Sequence, residues 1–238
     1  MGCLETMSKH VSIREYLDQP VPQGDLEKIV EAARRAPSAW GLQPYTIIAV
    51  TDKDEKKTIA EAVGGQEHVA KAPLLLVFAV DYAKLQALAE KLGRRVSEPK
   101  FGHLAIGLVD VGIAAAWAAL AAEELGYGIT FIALYSNPCR VAEILSLPEN
   151  TLPAIALTIG KPAAKPGPQP RQPVKALLDK EKYTSPQAKA EAILEDKPIL
   201  EKYVKLLGIT LGPGKYYDTV DKELKECIEK KFKTQPRQ

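Results

Sequence analysis

The sequence has few cysteines, few aromatic residues and almost no net charge. Its three cysteines, Cys3, Cys139 and Cys227, lie far apart and form no CxxC or Cys/His spacing. This pattern predicts neither a disulfide framework nor a zinc site, and it favours a reducing, cytoplasmic location. The formal net charge of +2 gives no electrostatic reason to expect a nucleic-acid partner or an acidic membrane surface.

No targeting segment and no membrane span are predicted. Residues 1–9 lack the basic stretch followed by an apolar stretch that marks a signal peptide. The most apolar segment, 104–125, contains Asp110 and ends near two glutamates, so it falls short of the roughly 20 continuous apolar residues of a membrane helix. We expect a helix that is apolar all round and therefore buried, at the domain centre or at a subunit interface.

The rest of the chain alternates between apolar runs and amphipathic patterns. Hydrophobic residues make up 46% of the 238 residues, which is enough for a large core. Strand-like apolar runs occupy 45–50, 74–80, 129–134 and 154–159. Because helical patterns separate these runs, the sequence predicts an α+β or α/β class.

The character of the chain changes after residue 183. Two Lys/Glu-rich helical patterns follow, over 188–207 and 217–232. We therefore predict a main domain over 1–183 and a helical C-terminal extension over 184–238.

One connection between a helix and a strand has an unusual composition. Residues 36–45 contain two prolines, a glycine, a serine and a glutamine. Proline restricts the backbone, while Gly41 allows a ligand to come close. Ser38 and Gln43 add hydrogen-bonding groups that suit a planar polar ligand, although Ser38 could equally cap the turn after Pro37.

Five segments together resemble one family, the FMN-dependent nitroreductases, and they occur in the order typical of that family. Each motif alone has low specificity, and the ordered set, which spans about residues 3–180, carries the resemblance. The segments are Ser12-Ile13-Arg14, the Ala-Arg-x-Ala-Pro-Ser-x-x-x-x-Gln-Pro-Tyr pattern up to Tyr45, the long helix 110–128, the strand end 132–135 and the proline-rich segment 154–173.

The resemblance implies an α/β/α sandwich with a mixed, mainly antiparallel sheet around a long buried helix. It also implies a cytoplasmic homodimer with two FMN sites at the subunit interface, each built from both chains. NADH or NADPH would reduce the flavin, which would then pass electrons to nitroaromatic, quinone or similar acceptors by a ping-pong mechanism. No catalytic side chain and no metal are required, because the cofactor carries the redox chemistry.

The resemblance also assigns ten cofactor-binding residues by position. They are His10, Ser12, Arg14, Pro37, Ser38, Gly41, Gln43, Ala133, Leu134 and Arg171.

These ten residues have different expected roles. Ser12 and Arg14 would hold the phosphate, the ribityl chain or the ring edge, and Arg171 would clamp the phosphate with its fork of donors. Backbone amides near Ala133 and Leu134 would face the flavin N5. The alternative for both arginines is a solvated surface position.

The sequence departs from the family pattern at several of these positions. His10 and Val11 stand where two basic residues are usual, and Gly41 replaces a frequent asparagine. Ala133 and Leu134 replace a pair of glycines at the strand end. These departures and the helical extension leave a second hypothesis, a flavin-binding or sensing protein that acts through a partner.

Overall fold

The computed structural model describes residues 2–232. The four strands are β1 (Tyr45–Val50), β2 (Leu74–Asp81), β3 (Gly128–Ala133) and β4 (Thr151–Gly160). The α-helices are α1 (Cys3–Ser8), α2 (Gln23–Arg34), α3 (Lys53–Ala62), α4 (Glu67–Lys71), α5 (Ala83–Lys91), α6 (Phe101–Glu124), α7 (Pro138–Ile144), α8 (Val174–Leu177), α9 (Pro186–Leu194), α10 (Lys197–Thr210) and α11 (Tyr216–Phe232).

The strands form one sheet in the order β1-β2-β4-β3. Every neighbouring pair is antiparallel, so the expected mixed sheet is wholly antiparallel in residues 2–232. All eight residues of β2 are buried, as its uninterrupted apolar run predicts. The α+β class and all four predicted strands are confirmed.

Helix α6 lies against the sheet along only one of its faces. Leu104, Val111 and Ala118 are at most 1% exposed and belong to the main hydrophobic core. On the opposite face, Val109 is 62% exposed and Trp117 is 46% exposed. The helix is long and apolar enough to cross a membrane, yet 44% of its most apolar window is buried inside the protein. The helix is therefore not buried on all sides within the single chain, and its expected place at a subunit interface stays a prediction.

Two compact units divide the chain. Among the described residues, the larger comprises 2–166 and 222–232, and the smaller comprises 167–221. The chain thus returns to the larger unit at the end of α11, where Phe232 is 1% exposed and belongs to the main core. The domain boundary at residue 183 stays a prediction.

A disulfide bond between Cys139 and Cys227 joins α11 to α7 within the larger unit. The expectation that no disulfide forms is wrong. The two cysteines are 88 positions apart in sequence, and only the return of α11 brings their Cα atoms to 5.3 Å.

The smaller unit differs from the predicted pattern at one point. The single helix expected over 188–207 is broken into α9 and α10. Asp196 accepts a hydrogen bond from the Ile199 amide and so caps the start of α10, and Pro198 stands in the first turn, where its missing N–H costs nothing.

Candidate functional site

An extended segment around Ile13 runs along the outer edge of β3. The Ile13 amide donates to the Ile129 carbonyl at 2.9 Å. Its carbonyl accepts hydrogen bonds from Thr130 Oγ1 at 2.6 Å and from the Tyr16 hydroxyl at 2.5 Å. The Ile13 side chain is 3% exposed and lies over Gly128, where a Cβ would come within 2.5 Å of it. This segment is therefore held in place by both backbone and side chain.

The two neighbours of Ile13 are the predicted ligands Ser12 and Arg14. Since side chains alternate along extended chain, the buried Ile13 turns both of them away from the core. Arg14 is exposed, and Ser12 is partly exposed. Burial lowers the pKa of His68 on α4, and the positive charge of Arg14 lowers it further. Arg14 thus lies near His68, and its guanidinium is accessible to an anionic ligand.

At the end of β3, the backbone amides of Ala133 and Leu134 point in opposite directions. The Leu134 amide donates to the Ala154 carbonyl at 3.2 Å, so this amide is used within the sheet. Backbone groups of an antiparallel edge strand alternate in direction, which turns the Ala133 amide to the outer edge. Leu134 is fully buried, whereas Ala133 is exposed. The Leu134 amide is thus not available to a ligand in this strand, and the role of the Ala133 amide toward the flavin stays a prediction.

The predicted flavin loop, residues 37–43, has a strained backbone. Trp40 has φ 56°, Gly41 has φ 67° and Gln43 has φ 49°. A left-handed conformation is easy for glycine but costly for the other two residues. The Trp40 side chain is 95% exposed. Strain of this kind persists only where surrounding contacts determine the conformation, and it is concentrated at functional sites.

Contacts inside the loop fix this conformation. The Ser38 hydroxyl accepts a hydrogen bond from the Gln43 amide at 3.1 Å. The Gln43 side-chain nitrogen donates to the Arg34 carbonyl at 2.8 Å and to the Tyr45 hydroxyl at 3.1 Å. Ser38 therefore caps the turn, and its hydroxyl proton remains free to donate to a ligand. Pro37 is exposed at the start of the loop.

Asp110 connects this loop to α6. Its Oδ1 accepts a hydrogen bond from the Ala39 amide at 3.0 Å, although Asp110 is only 3% exposed. Its buried Oδ2 has no hydrogen-bond partner in the described part of the chain. Burial, and to a smaller extent the Asp110 carboxylate, raise the pKa of Tyr45 and of Tyr82.

Asp110 is not among the site residues predicted from the sequence. A lone acid in the middle of an alanine-rich helix was the signal, because a buried carboxylate persists only where it has a partner.

The last two predicted ligands, His10 and Arg171, have partners of their own. His10 Nδ1 lies 2.6 Å from a carboxylate oxygen of Glu123, so an anion would compete with Glu123 for this ring. Arg171 belongs to the smaller unit, is exposed, and donates to the Gln169 carbonyl at 3.1 Å. Their roles as phosphate ligands stay predictions.

The larger unit thus carries two separate groups of predicted flavin ligands. The β3 edge offers Arg14, Ser12 and the Ala133 amide along about 13 Å of extended strand. The 37–43 loop forms the second group, and no hydrogen bond or ion pair joins it to the first within residues 2–232. The arrangement along the β3 edge suits a long ligand with a phosphate at one end and a hydrogen-bonding ring at the other. Arg14 and Ser12 would face the phosphate, and the Ala133 amide would face the ring.

Comparison with known proteins identifies relatives of this chain. The sequence profile of the "Nitroreductase family" matches residues 7–161. "FMN reductase [NAD(P)H]" of Bacillus subtilis (strain 168) is 39% identical over 183 residues, which cover 76% of this chain and 74% of the relative. "Oxygen-insensitive NADPH nitroreductase" of Salmonella typhimurium is 33% identical and covers 76% of this chain and 74% of its own length.

Solved structures also resemble this fold. B. megaterium NfrA2 has a TM-score of 0.84 and 29% identity, and the alignment covers 98% of each chain. "NADPH:FMN oxidoreductase from Vibrio harveyi complexed with NAD+" has a TM-score of 0.77 and 28% identity, with 93% of this chain and 97% of that chain covered.

Proposed function

This chain belongs to the nitroreductase family, and from that premise we propose how it works. It is an FMN-dependent oxidoreductase that takes electrons from NADH or NADPH and transfers them to nitroaromatic, quinone or similar acceptors. Relatives named for FMN reduction and for nitroreduction support this function. They do not favour the rival hypothesis of a non-catalytic flavin-binding protein.

The outer edge of β3 is the observation on which the proposal rests. Arg14 supplies a charge-assisted donor for the FMN phosphate, and Ser12 supplies a hydroxyl beside it. The Ala133 amide donates toward the flavin ring from the far end of the strand. When bound, FMN accepts a hydride from the nicotinamide and passes electrons on to the acceptor. The residues of the chain position the cofactor, so no acid–base pair is needed.

We further propose that a second copy of the chain completes each site. No hydrogen bond or ion pair joins the 37–43 loop to the Ser12–Arg14 segment within residues 2–232, and we infer that the loop of one copy covers the β3 edge of the other. The exposed apolar face of α6, which includes Ile106, Val109 and Trp117, supports a homodimer. Burial of such a face stabilises an interface by about 25 cal/mol per Å².

The proposed acceptors are small molecules, and neither nucleic acid nor a membrane takes part. The cytoplasm is the proposed location, because NAD(P)H is the electron donor. The disulfide between Cys139 and Cys227 argues against this location, because a reducing cytoplasm disfavours such bonds. Cell fractionation tests the location.

A spectroscopic experiment tests the function. The full chain is saturated with FMN, freed of excess cofactor, and mixed with NADH or NADPH without oxygen. We expect the flavin's visible absorbance to bleach and to return when a quinone or a nitroarene is added. FMN retention without bleaching by either nucleotide would support the rival binding protein. Failure to take up FMN would refute both hypotheses.

The role of Arg14 is tested by Arg14→Ala. Losing a charged donor costs about 1.5–3 kcal/mol, which lowers FMN affinity about 10-fold to 100-fold. The control is Lys57→Ala, which removes an exposed cation from α3. Equal FMN dissociation constants for the two variants would exclude Arg14 from the site.

A further inference from the structure

A cavity of about 490 Å³ lies apart from the residues assigned to FMN. It opens between residues 16–21, the beginning of α3 and the end of α4. None of the ten predicted flavin ligands lines it. Three lysines line this cavity: Lys53, Lys56 and Lys71. We refer to it as the lysine cavity.

Lys56 is buried in the wall of this cavity and is only 4% exposed. Its Nζ donates to the Ala72 carbonyl at 2.5 Å, and no carboxylate lies within 4 Å of it in the described part of the chain. Burial lowers the pKa of Lys56, and the positive charge of Lys53 lowers it further. Asp18 and Asp52 attract Lys56 from beyond ion-pair distance, so its burial remains costly, and two of its three N–H donors are not used by the Ala72 carbonyl.

Lys53 is the second cation available to an anion. It is exposed, and its repulsion of Lys56 is relieved by any anion that binds between the two ammonium groups. Lys71 is less available, since it forms an ion pair with Glu67 at 2.6 Å. Thr51 adds a hydroxyl donor to the wall. Asp18, also in the wall, attracts Lys56, as does Asp52, and both carboxylates compete with an anion for it.

The remaining wall is apolar and includes Val21 and Pro73. A volume of about 490 Å³ lies within the range of small-molecule sites, about 300–1,000 Å³, and exceeds what a single inorganic ion fills. The cavity therefore has room for an organic part beside an anionic group. A phosphoryl group carries nearly two negative charges and three acceptor oxygens, which match two ammonium groups, whereas a carboxylate carries one charge.

We propose that the lysine cavity binds a small phosphorylated organic molecule. Its phosphoryl group bridges Lys53 and Lys56, and its organic part lies against Val21 and Pro73. This site is separate from the FMN site and does not depend on the proposed function.

Calorimetry with the FMN-saturated full chain, at constant ionic strength, tests the proposal. FMN saturation keeps the probes out of the flavin's phosphate site. The probes are inorganic phosphate, glycerol phosphate and, as a monovalent carboxylate, acetate. We expect glycerol phosphate to bind more tightly than inorganic phosphate, and both to bind more tightly than acetate. NMR shifts of the Thr51, Lys53 and Ala72 amides locate the bound probe even in a preparation that lacks FMN.

Two variants separate this cavity from general surface charge. Lys56→Met keeps the aliphatic stem and removes the ammonium, so affinity for glycerol phosphate falls about 10-fold or more. Lys57→Met removes an exposed charge from the next position of the same helix and leaves the affinity unchanged. If Lys56→Met does not fold, Lys53→Gln serves instead and weakens binding at least several-fold. Absence of binding to the unmodified chain, or equal loss in the Lys56 and Lys57 variants, would overturn the proposal.

Discussion

Replacing Gly128 by alanine is expected to disturb the flavin site indirectly, through Ile13. A Cβ at Gly128 would lie 2.5 Å from Ile13 Cγ1, 2.6 Å from its Cβ and 2.8 Å from its Cγ2. Ordinary contacts begin near 3.4 Å, so the Ile13 segment has to move away by about 1 Å. The Ile13 side chain cannot move away alone because it is buried, and the Gly128 backbone cannot move alone because β3 is paired with β4.

The cost follows from the contacts that hold Ile13. Overpacking a buried site costs about 1–3 kcal/mol. Three hydrogen bonds hold the Ile13 backbone: its amide donates to Ile129, and its carbonyl accepts from Thr130 and Tyr16. The shift weakens at least one of them, which costs about a further 0.5–1.5 kcal/mol. We expect a total loss of about 2–4 kcal/mol. In a chain of this length each kcal/mol lowers the melting temperature by about 2–4 °C.

The same shift moves Ser12 and Arg14, which flank Ile13. Loss of one charge-assisted hydrogen bond to the FMN phosphate lowers affinity about 10-fold to 100-fold. Thermal denaturation and fluorescence titration with FMN measure the two effects. The control is Gly24→Ala in the first turn of α2, where an added Cβ meets nothing within 4 Å, so FMN affinity stays unchanged and the melting temperature does not fall. A lower melting temperature with unchanged FMN affinity would refute the link between Gly128 and the site.

Three further predictions concern other contacts. Arg14→Ala raises the pKa of His68 toward its usual value, because the charge of Arg14 is one of the two causes that lower it. An NMR titration of His68 that shows no rise would contradict the proximity of the two side chains. Cys227→Ser, or a reductant, costs about 2–4 kcal/mol by removing the disulfide, and an unchanged melting temperature would argue against the bond. Asp110→Ala leaves the Ala39 amide unpaired, whereas Asp110→Asn keeps an acceptor for it, so the alanine variant binds FMN more weakly. Equal FMN affinities of the two variants in a titration would contradict this expectation.

Much of the fold could be predicted from local sequence. The four apolar runs correspond to β1 to β4 with ends shifted by one residue at most, except for β4, which begins three residues earlier at Thr151. Such runs are informative because a strand buried on both faces has to be apolar throughout. The break between α9 and α10 was missed, although Asp196 and Pro198 are a recognisable start signal.

Features that depend on distant contacts could not be predicted. The pairing of Cys139 with Cys227 requires the return of α11, which no local pattern specifies. The roles of Asp110 and of Lys56 also depend on which elements pack around them. The ten flavin ligands came from the family resemblance. The structure adds that Ser38 and Gln43 also hold their own loop, and that Ala133 has the outward amide.

The return of the final helix to the larger unit has a consequence for biosynthesis. Residues 1–166 leave the ribosome before 222–232, and the intervening 167–221 segment takes about 3–11 s to synthesise at about 5–20 residues per second. During that delay the core lacks Cys227 and Phe232, so the apolar surface they cover is exposed to other nascent chains. We therefore expect the nascent larger unit to recruit chaperones that bind apolar surface until α11 is released.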